Sequence, residues 1–303
     1  MTQPPRLFDR MLLRRRLARA AKASGDADFL RRSAAEDIVN RLESVSRRFP
    51  VAVDLSARRG AFARALAASD AAAKVDFLAQ SDLSDLMLDG RAGARMVADE
   101  ERLPLKEASV DLIVSALALH WTNDLVGALI QIRRALKPDG LFLASLFGGA
   151  TLTELRQVLL QAELDLTGGA GPRVSPFADA RDLGGLLQRA GFALPVVDVD
   201  RFSVRYDHPL GLMADLRAMG ETSVLTERPT APLSGAVLAR AGEIYLERYG
   251  RRGRIAASFE IITRTGWAPH PAQPKPLKPG SARTRLADAL GRIERPTGEK
   301  AHP

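Results

Sequence analysis

The chain of 303 residues is 46% hydrophobic and 26% charged, which is typical of a soluble globular protein with a substantial core. It has no cysteine, which excludes disulfide bonds, thiolate zinc sites and a cysteine nucleophile, and it has no apolar run of membrane-spanning length. The net charge of +8 is concentrated at the two ends: residues 1–22 carry seven Lys or Arg and one acid, and the middle of the chain is close to neutral.

Residues 7–22 predict an amphipathic helix, and residues 28–48 predict a second one. We expect the first helix to turn one apolar face towards the domain, formed by Leu7, Met11, Leu12, Ala18 and Ala21. Residues 1–48 are therefore interpreted as an N-terminal helical arm. Its Arg-rich start also resembles a mitochondrial transit peptide, and this alternative stays open.

Five short apolar segments then predict buried strands: residues 51–55, 74–79, 94–99, 110–119 and 140–147. Helical segments alternate with them, notably residues 60–68 and 123–136, and Pro138-Asp139-Gly140 predicts a turn before the fifth strand. Strands that alternate with helices indicate an α/β fold with a doubly wound, mostly parallel sheet that helices cover on both faces.

The alternation loosens after residue 150. The pattern predicts helices at residues 151–166, 181–192, 209–219 and 234–249, and strands near 194–204 and 258–267. We assign residues 49–267 to one α/β domain with helical insertions at about 151–180 and 208–250. Residues 268–303 are Pro-rich and basic, which predicts a disordered tail.

Three acids lie at the ends of the first three predicted strands: Asp54, Asp82 and Asp99. Ligands of doubly wound sheets bind beyond the carboxyl ends of the strands. A single acid there is more often a helix cap, but three in succession indicate a ligand site. Asp82, 28 residues after Asp54, is placed to accept both hydroxyl groups of a ribose.

Four motifs resemble the class I methyltransferases that use S-adenosylmethionine (SAM). They are VDL at residues 53–55 with a glycine at Gly60, ADEERLPLKEASVDLIVSALALHW (98–121), LKPDGLF (136–142) and LLQRAGF (186–192). This resemblance implies a seven-stranded, Rossmann-like sheet.

A narrower resemblance runs from about residue 6 to 290. LFDRMLLRRR, LHWTNDL, LFGGATLTELR, RVSPFADARDLGGLL, LMADLRAMGE and KPLKPGSA resemble the assembly factor 5 group of respiratory complex I. That group is associated with hydroxylation of a protein arginine. A more distant resemblance is to the malonyl-acyl-carrier-protein methyltransferase of biotin synthesis.

The resemblance implies SAM as the cofactor, with these residues around it: Asp54, Ser56, Arg58, Gly60, Asp82, Leu83, Asp99, Glu100 and Ser115. Asp82 would hold the ribose, and Asp99 with the backbone of Glu100 would border the adenine. The catalytic residue is unknown, with His120 and Trp121 as candidates at the acceptor side. The four histidines show no pattern of a non-haem iron site, and no metal site is predicted.

The first loop departs from the family pattern D-L-G-x-G-x-G. It reads Asp54-Leu55-Ser56-Ala57-Arg58-Arg59-Gly60, so that only the last glycine is kept. Glycine serves there because the backbone approaches the ligand closely and can adopt a positive φ. Arg58 therefore either blocks the cofactor or pairs with the carboxylate of its methionine moiety.

Two hypotheses follow. In the first, the chain is a SAM-dependent methyltransferase-type enzyme that acts on a protein side chain in complex I assembly, by either methylation or hydroxylation. In the second, it is a catalytically degenerate assembly chaperone with this fold. The partner is a complex I subunit, and the basic arm offers a peripheral contact to a membrane. No nucleic acid is expected, because the segment after the fourth strand lacks an NPPY or DPPY motif. The expected location is the bacterial cytoplasm, or the mitochondrial matrix for a eukaryotic source.

Overall fold

The computed structural model describes residues 6–23, 27–90 and 93–274, and the single residues 281, 288 and 291. Its helices are α1 (Arg10–Ala21), α2 (Phe29–Ser44), α3 (Ala61–Ala67), α4 (Leu125–Ala135), α5 (Thr153–Thr167), α6 (Ala180–Arg189), α7 (Pro209–Met219) and α8 (Gly235–Tyr249). Its strands are β1 (Val51–Leu55), β2 (Phe77–Asp82), β3 (Ala94–Val97), β4 (Val110–Ala116), β5 (Leu136–Phe147), β6 (Ala193–Tyr206), β7 (Gly250–Arg251) and β8 (Arg254–Trp267).

The strands form one sheet in the order β3-β2-β1-β4-β5-β8-β6, and the two-residue β7 pairs with β8. The first five strands pair in parallel, whereas β8 runs antiparallel to β5 and β6. The mostly parallel α/β sheet predicted from the sequence is thus confirmed. The chain winds outwards from β1 to β3 and then returns to β4 on the other side of β1, so that the switch point lies between β1 and β4.

Helices cover both faces of the sheet. Successive side chains of β1 and β4 point to opposite faces of the sheet, so that alternate residues lie in two different hydrophobic cores. Val53 and Ile113 pack with α4 and α6, whereas Ala52 and Leu112 pack with α2 and α3. A third core joins α5, α7 and α8 to β8.

The predicted turn before the fifth strand is wrong. β5 runs without interruption from Leu136 to Phe147, and the register shift falls where Val110 and Leu112 of β4 pair with Leu136 and Leu141. Asp139 adopts φ 63° inside this stretch and donates its N–H to the Ala268 carbonyl. The extra residues therefore bulge from a continuous strand instead of reversing the chain.

The predicted apolar face of the first helix is only partly right: Leu12 and Ala21 pack against the apolar cluster, whereas Leu7 and Met11 are exposed. The Asp9 carboxylate accepts the N–H of Leu12 and so caps the helix. The helix therefore begins at Arg10, and Leu7 lies outside it. The buried face is Leu13, Leu17 and Ala20. This face packs over the carboxyl edge of the sheet, against the cluster Leu83, Met87 and Trp121.

The chain separates into two compact units, Met1–Pro269 and His270–Pro303. Ala268 belongs to the first unit, since its N–H donates to the Gly140 carbonyl and its side chain is buried. Most of the predicted tail lies outside the described residues. Within the described ranges, no helix is both long enough and apolar enough to cross a membrane.

Candidate functional site

The loop between β1 and α3 keeps a glycine-like backbone without the glycines. Ser56, Arg58 and Arg59 have φ of 63°, 40° and 60°, and Gly60 has φ 69°. Left-handed backbone costs an L-residue roughly 1–2 kcal/mol. The three non-glycine residues are therefore strained, and the surrounding structure holds the loop in its shape.

Arg58 turns its side chain into the sheet edge instead of towards solvent. Its Nη1 lies 2.9 Å from both carboxylate oxygens of Asp82, and its own backbone N–H donates to Oδ2 of Asp82 at 3.1 Å. The backbone N–H of Ser84 adds a contact of 3.0 Å to Oδ1. Burial opposes the charge of Arg58, but Asp82, Glu100 and Glu221 outweigh it and raise the Arg58 pKa. The candidate ribose acid is therefore already fully paired.

Asp54, at the end of β1, is the neighbouring acid. It is buried, and neither carboxylate oxygen has a hydrogen-bond partner among the described residues. Burial, and after it the charge of Asp82, raise the pKa of Asp54 to about 8, against the opposing charges of Arg31 and Arg58. Asp54 is therefore protonated at neutral pH, whereas Asp82 forms the ion pair.

Asp54→Asn should flatten the dependence of stability on pH. The pKa of Asp54 rises on folding from an ordinary 3.8 to about 8, so between these pH values the folded chain holds a proton that the unfolded chain has lost. This contribution to stability is complete below pH 4 and disappears as pH rises through 8. Thermal unfolding at pH 5 and pH 8 should show a larger loss of midpoint for the parent than for the variant. Asp76→Asn, at an exposed pair with Arg48, is the control; parallel profiles for parent and Asp54→Asn would contradict the assignment.

Glu100 links the loop after β1 to α1. Its buried carboxylate accepts hydrogen bonds from the Ser56 hydroxyl and from Arg10. Arg10 also reaches Oδ1 of Asp99 at 2.6 Å and the carbonyl of Trp121 at 3.2 Å. Burial opposes the charged form of Glu100, but Arg10, Arg58 and the Ser56 hydroxyl outweigh it and lower the pKa. The predicted residues Ser56, Glu100 and Asp99 are thus brought together under the first helix.

The other predicted cofactor residues lie around this cluster without joining its contacts. Leu83 packs against α1 in the apolar cluster at the carboxyl edge. Ser115 lies near the end of β4, and its buried hydroxyl has no hydrogen-bond partner within the described ranges. Gly60 closes the loop and is the N-cap residue of α3.

Glu221 is the residue that sequence reasoning missed. Its Oε2 accepts the Trp121 indole N–H at 2.8 Å and lies 3.0 Å from Nε2 of His120, while its Oε1 accepts Arg31 Nη2 at 2.9 Å. Burial opposes the charge of Glu221, but His120, Arg31 and Arg58 outweigh it and lower the pKa. Glu221 follows Gly220, which ends α7 in a left-handed conformation. The available signal was the motif LMADLRAMGE, whose last residue is this glutamate.

His120 and Trp121 form part of an aromatic wall after β4. The His120 ring lies 5.0 Å from Phe147 and 5.6 Å from Phe177, centroid to centroid, and Trp121 lies 6.2 Å from Phe177. Both candidates are buried, so the wall packs over the sheet. Both residues contact Glu221, and each lines a different cavity.

The cavity beside Trp121, which we name the acceptor cavity, has a volume of about 200 Å³. Most of its lining is apolar and comes from α5 and α7, from the segments before α6 and α8, and from the end of the loop after β4: Trp121, Leu152, Leu155, Leu159, Val174, Phe177, Met213, Leu216 and Leu233. Its polar lining is Glu221, Thr222, Ser223, Ser175, Arg173 and Arg217. Arg173 is neutralised by Glu163, with Nη2 2.6 Å from Oε1. The cavity therefore offers apolar walls, one buried carboxylate that is not paired with a cavity arginine, and the exposed side chain of Arg217.

In this arrangement the described residues do not fit a SAM ribose. Arg58 and two backbone N–H groups use both oxygens of Asp82, and the Arg58 and Asp82 side chains are almost completely buried. A ribose would contact this carboxylate only in an arrangement in which Arg58 does not pair with it. The left-handed backbone of the loop, by contrast, has the conformation for which glycine is used beside a ligand.

Comparisons with known proteins agree with the fold and the motifs. A methyltransferase-domain family model matches residues 50–144. The mitochondrial arginine-hydroxylase NDUFAF5 of Danio rerio is 40% identical over 298 residues, which cover 95% of this chain and 91% of the relative. The human NDUFAF5 is 38% identical over 97% of this chain and 87% of its own length. The malonyl-[acyl-carrier protein] O-methyltransferase of Methylovorus sp. (strain MP688) is 34% identical over 95% of this chain and its whole length.

Among solved structures, the Bacillus halodurans protein BH2331, a candidate methyltransferase, superposes with a TM-score of 0.54 at 14% identity. The match covers 77% of this chain and 99% of that protein, and it supports the fold alone. Together with the relatives above, it confirms the resemblance found in the sequence motifs. The chain therefore belongs to the methyltransferase-fold family that contains the arginine-hydroxylase NDUFAF5 and, more distantly, the malonyl-[acyl-carrier protein] O-methyltransferases.

Proposed function

We propose that this chain acts on an arginine side chain of a protein, as a methyltransferase-fold factor in the assembly of respiratory complex I. Its relatives at 38–40% identity over most of both chains are named arginine hydroxylases, which supports the substrate class. The bacterial cytoplasm, or the mitochondrial matrix for a eukaryotic source, is the location that goes with this proposal.

The observation that carries the proposal is the chemistry of the acceptor cavity. An arginine side chain has an apolar stem and a planar cation at its end, and the cavity has apolar walls with the Glu221 carboxylate among them. A carboxylate offers about four lone-pair positions. Three are used by Arg31, His120 and Trp121, which leaves one on Oε1 for a further donor. The Arg31 contact itself shows that Glu221 accepts a guanidinium.

We propose further that SAM occupies the carboxyl edge of the sheet when Arg58 has left Asp82. Asp82 would then accept the ribose hydroxyls, and Asp99 and Glu100 would border the base. SAM, when bound, would supply a transferable methyl group, or its nucleoside would hold the residues at the carboxyl edge of the sheet in position. His120 and Trp121 form the wall beside the acceptor, and their contacts to Glu221 fix that wall in position.

A catalytically degenerate assembly chaperone is the second candidate. The observation that favours it is the buried pair of Arg58 and Asp82, which occupies the carboxylate that a nucleoside needs. Such a protein would hold an arginine segment of its client without chemical change. The two candidates share the acceptor cavity and differ in whether a modified product forms.

The test is binding and modification of an arginine peptide. We expect the purified protein to bind a peptide with a central arginine at least tenfold more tightly than the same peptide with norleucine, since hydrogen bonds to charged groups contribute roughly 1.5–3 kcal/mol. Glu221→Gln should remove most of this preference. Glu260→Gln is the matched control, because Glu260 is also buried but does not line the acceptor cavity.

Mass spectrometry then separates the candidates. The reaction contains SAM, molecular oxygen and a supplied reductant, and the peptide is analysed for an added oxygen atom or methyl group. A modified arginine supports the enzyme, whereas binding without modification supports the chaperone. Equal affinity for the arginine and norleucine peptides would contradict both.

A further inference from the structure

A basic cleft lies beside the acceptor cavity and has no part in the function proposed so far. It has a volume of about 390 Å³ and is lined by α1 and the end of α7. Its lining residues are Leu12, Arg15, Arg16, Arg19, Arg217 and Thr222. Arg217 and Thr222 also line the acceptor cavity, so the two spaces are neighbours across these side chains.

Among the described residues, the four arginines of this cleft form no ion pair with an acid. Exposed arginines elsewhere, such as Arg48 and Arg240, do form such pairs. Arg16 donates to the backbone carbonyl of Ser223 instead. Solvated, unpaired arginines gathered in one concavity form a site of concentrated positive potential.

The charges in the cleft are close enough to act on one another. Burial lowers the pKa of Arg16 to about 10. The neighbouring cations Arg228, Arg19 and Arg217 also lower this pKa, whereas the charge of Asp9 raises it. An anion in the cleft would therefore relieve repulsion that the folded chain now carries.

The charge of the acceptor cavity limits which kind of anionic ligand can bind in the basic cleft and extend into the cavity. The buried charged group in its lining is the Glu221 carboxylate, which repels a phosphate and attracts a cation. A ligand that spans both spaces needs a cationic group next to anionic ones. An arginine beside aspartates or glutamates meets this requirement, whereas a nucleic-acid backbone or an anionic lipid headgroup surface brings no such cation.

We propose that the basic cleft binds an acidic segment of the protein acceptor, next to the arginine that enters the acceptor cavity. This proposal rests on the proposed function and adds a specificity determinant to it. Arg15, Arg19 and Arg217 hold the acidic side chains of the acceptor, and Arg16 reinforces the field from the wall of the cleft. Guanidinium groups suit this task, since they pair with carboxylates in a bidentate geometry.

The test uses fluorescence anisotropy with labelled peptides and the full chain. One peptide has a central arginine flanked by glutamates, and a second has the same arginine flanked by glutamines. We expect the acidic peptide to bind about fivefold or more tightly, and its advantage to fall as salt rises. Arg15→Gln/Arg19→Gln should remove this advantage. Arg14→Gln/Arg189→Gln, which changes the net charge equally at exposed positions outside the cleft, should keep it.

The outcomes separate this proposal from the one on which it rests. Equal binding of the acidic and neutral peptides overturns the cleft proposal while leaving the arginine cavity intact. A second outcome is that neither arginine peptide binds, while a glutamate-rich peptide without arginine binds to the parent and not to Arg15→Gln/Arg19→Gln. In that case the cleft proposal stands and the arginine proposal fails. Anionic vesicles or single-stranded RNA that bind through Arg15 and Arg19, with no binding of the acidic peptide, would overturn the cleft proposal.

Discussion

Replacing Arg58 with alanine should lower the free energy of unfolding by about 3–5 kcal/mol, because it leaves the buried Asp82 carboxylate without its counter-charge. The two side chains are 1% and 0% exposed, so water does not replace the guanidinium without rearrangement. Urea unfolding of parent and variant measures the difference.

A second pair of variants separates the ion pair from the strained backbone. Arg58→Gly removes the same side chain as Arg58→Ala but tolerates φ 40°, so it should be more stable than the alanine variant by about 1 kcal/mol. Adding Asp82→Asn to Arg58→Ala removes the unpaired charge and should restore a large part of the loss. A loss in Arg58→Ala below about 1 kcal/mol, the range of an exposed pair, would contradict the buried pair.

The sequence predicts the sheet well because its signals are local. Apolar runs such as residues 51–55 alternate with helical segments, and acids follow the strands, so the α/β class and the carboxyl-edge position of Asp54 and Asp82 follow from periodicity and topology. The face of α1 does not follow. It depends on the cap at Asp9 and on which residues meet the cluster at Trp121, and both are set by tertiary packing.

The partners of the site residues could not be predicted for a similar reason. The departure at Arg58 was visible in the sequence, but two outcomes were open, a block of the cofactor or a clamp on its carboxylate. The contact with Asp82, 24 residues away, comes from the loop's left-handed path. Glu221 lies 190 residues from Arg31 and 101 from His120 along the chain, so no spacing indicates their contact.

The second large effect concerns SAM affinity. In the parent, a nucleoside that reaches Asp82 must first displace Arg58, and the apparent affinity falls by the fraction of molecules in which Arg58 is away. Arg58→Gly removes this competition and also gives the loop a residue that accepts positive φ. We therefore expect the variant to bind SAM at least about tenfold more tightly, a change of about 1.4 kcal/mol.

The gain should depend on Asp82. Under the proposed function the ribose hydroxyls are the partners of this carboxylate once Arg58 is removed, and hydrogen bonds to a charged group contribute roughly 1.5–3 kcal/mol. Asp82→Asn in the Arg58→Gly background should therefore abolish most of the gain. Asp76→Asn in the same background, at an exposed acid that pairs with Arg48, should leave the gain unchanged.

Titration calorimetry of SAM against the parent, Arg58→Gly and Arg58→Gly/Asp82→Asn tests most directly whether Arg58 competes with a nucleoside for Asp82. We predict weak binding by the parent, binding at least about tenfold tighter by Arg58→Gly, and loss of that gain in the double variant. Tighter binding by the parent than by Arg58→Gly would contradict the competition and would mean that Arg58 clamps the methionine carboxylate of the ligand.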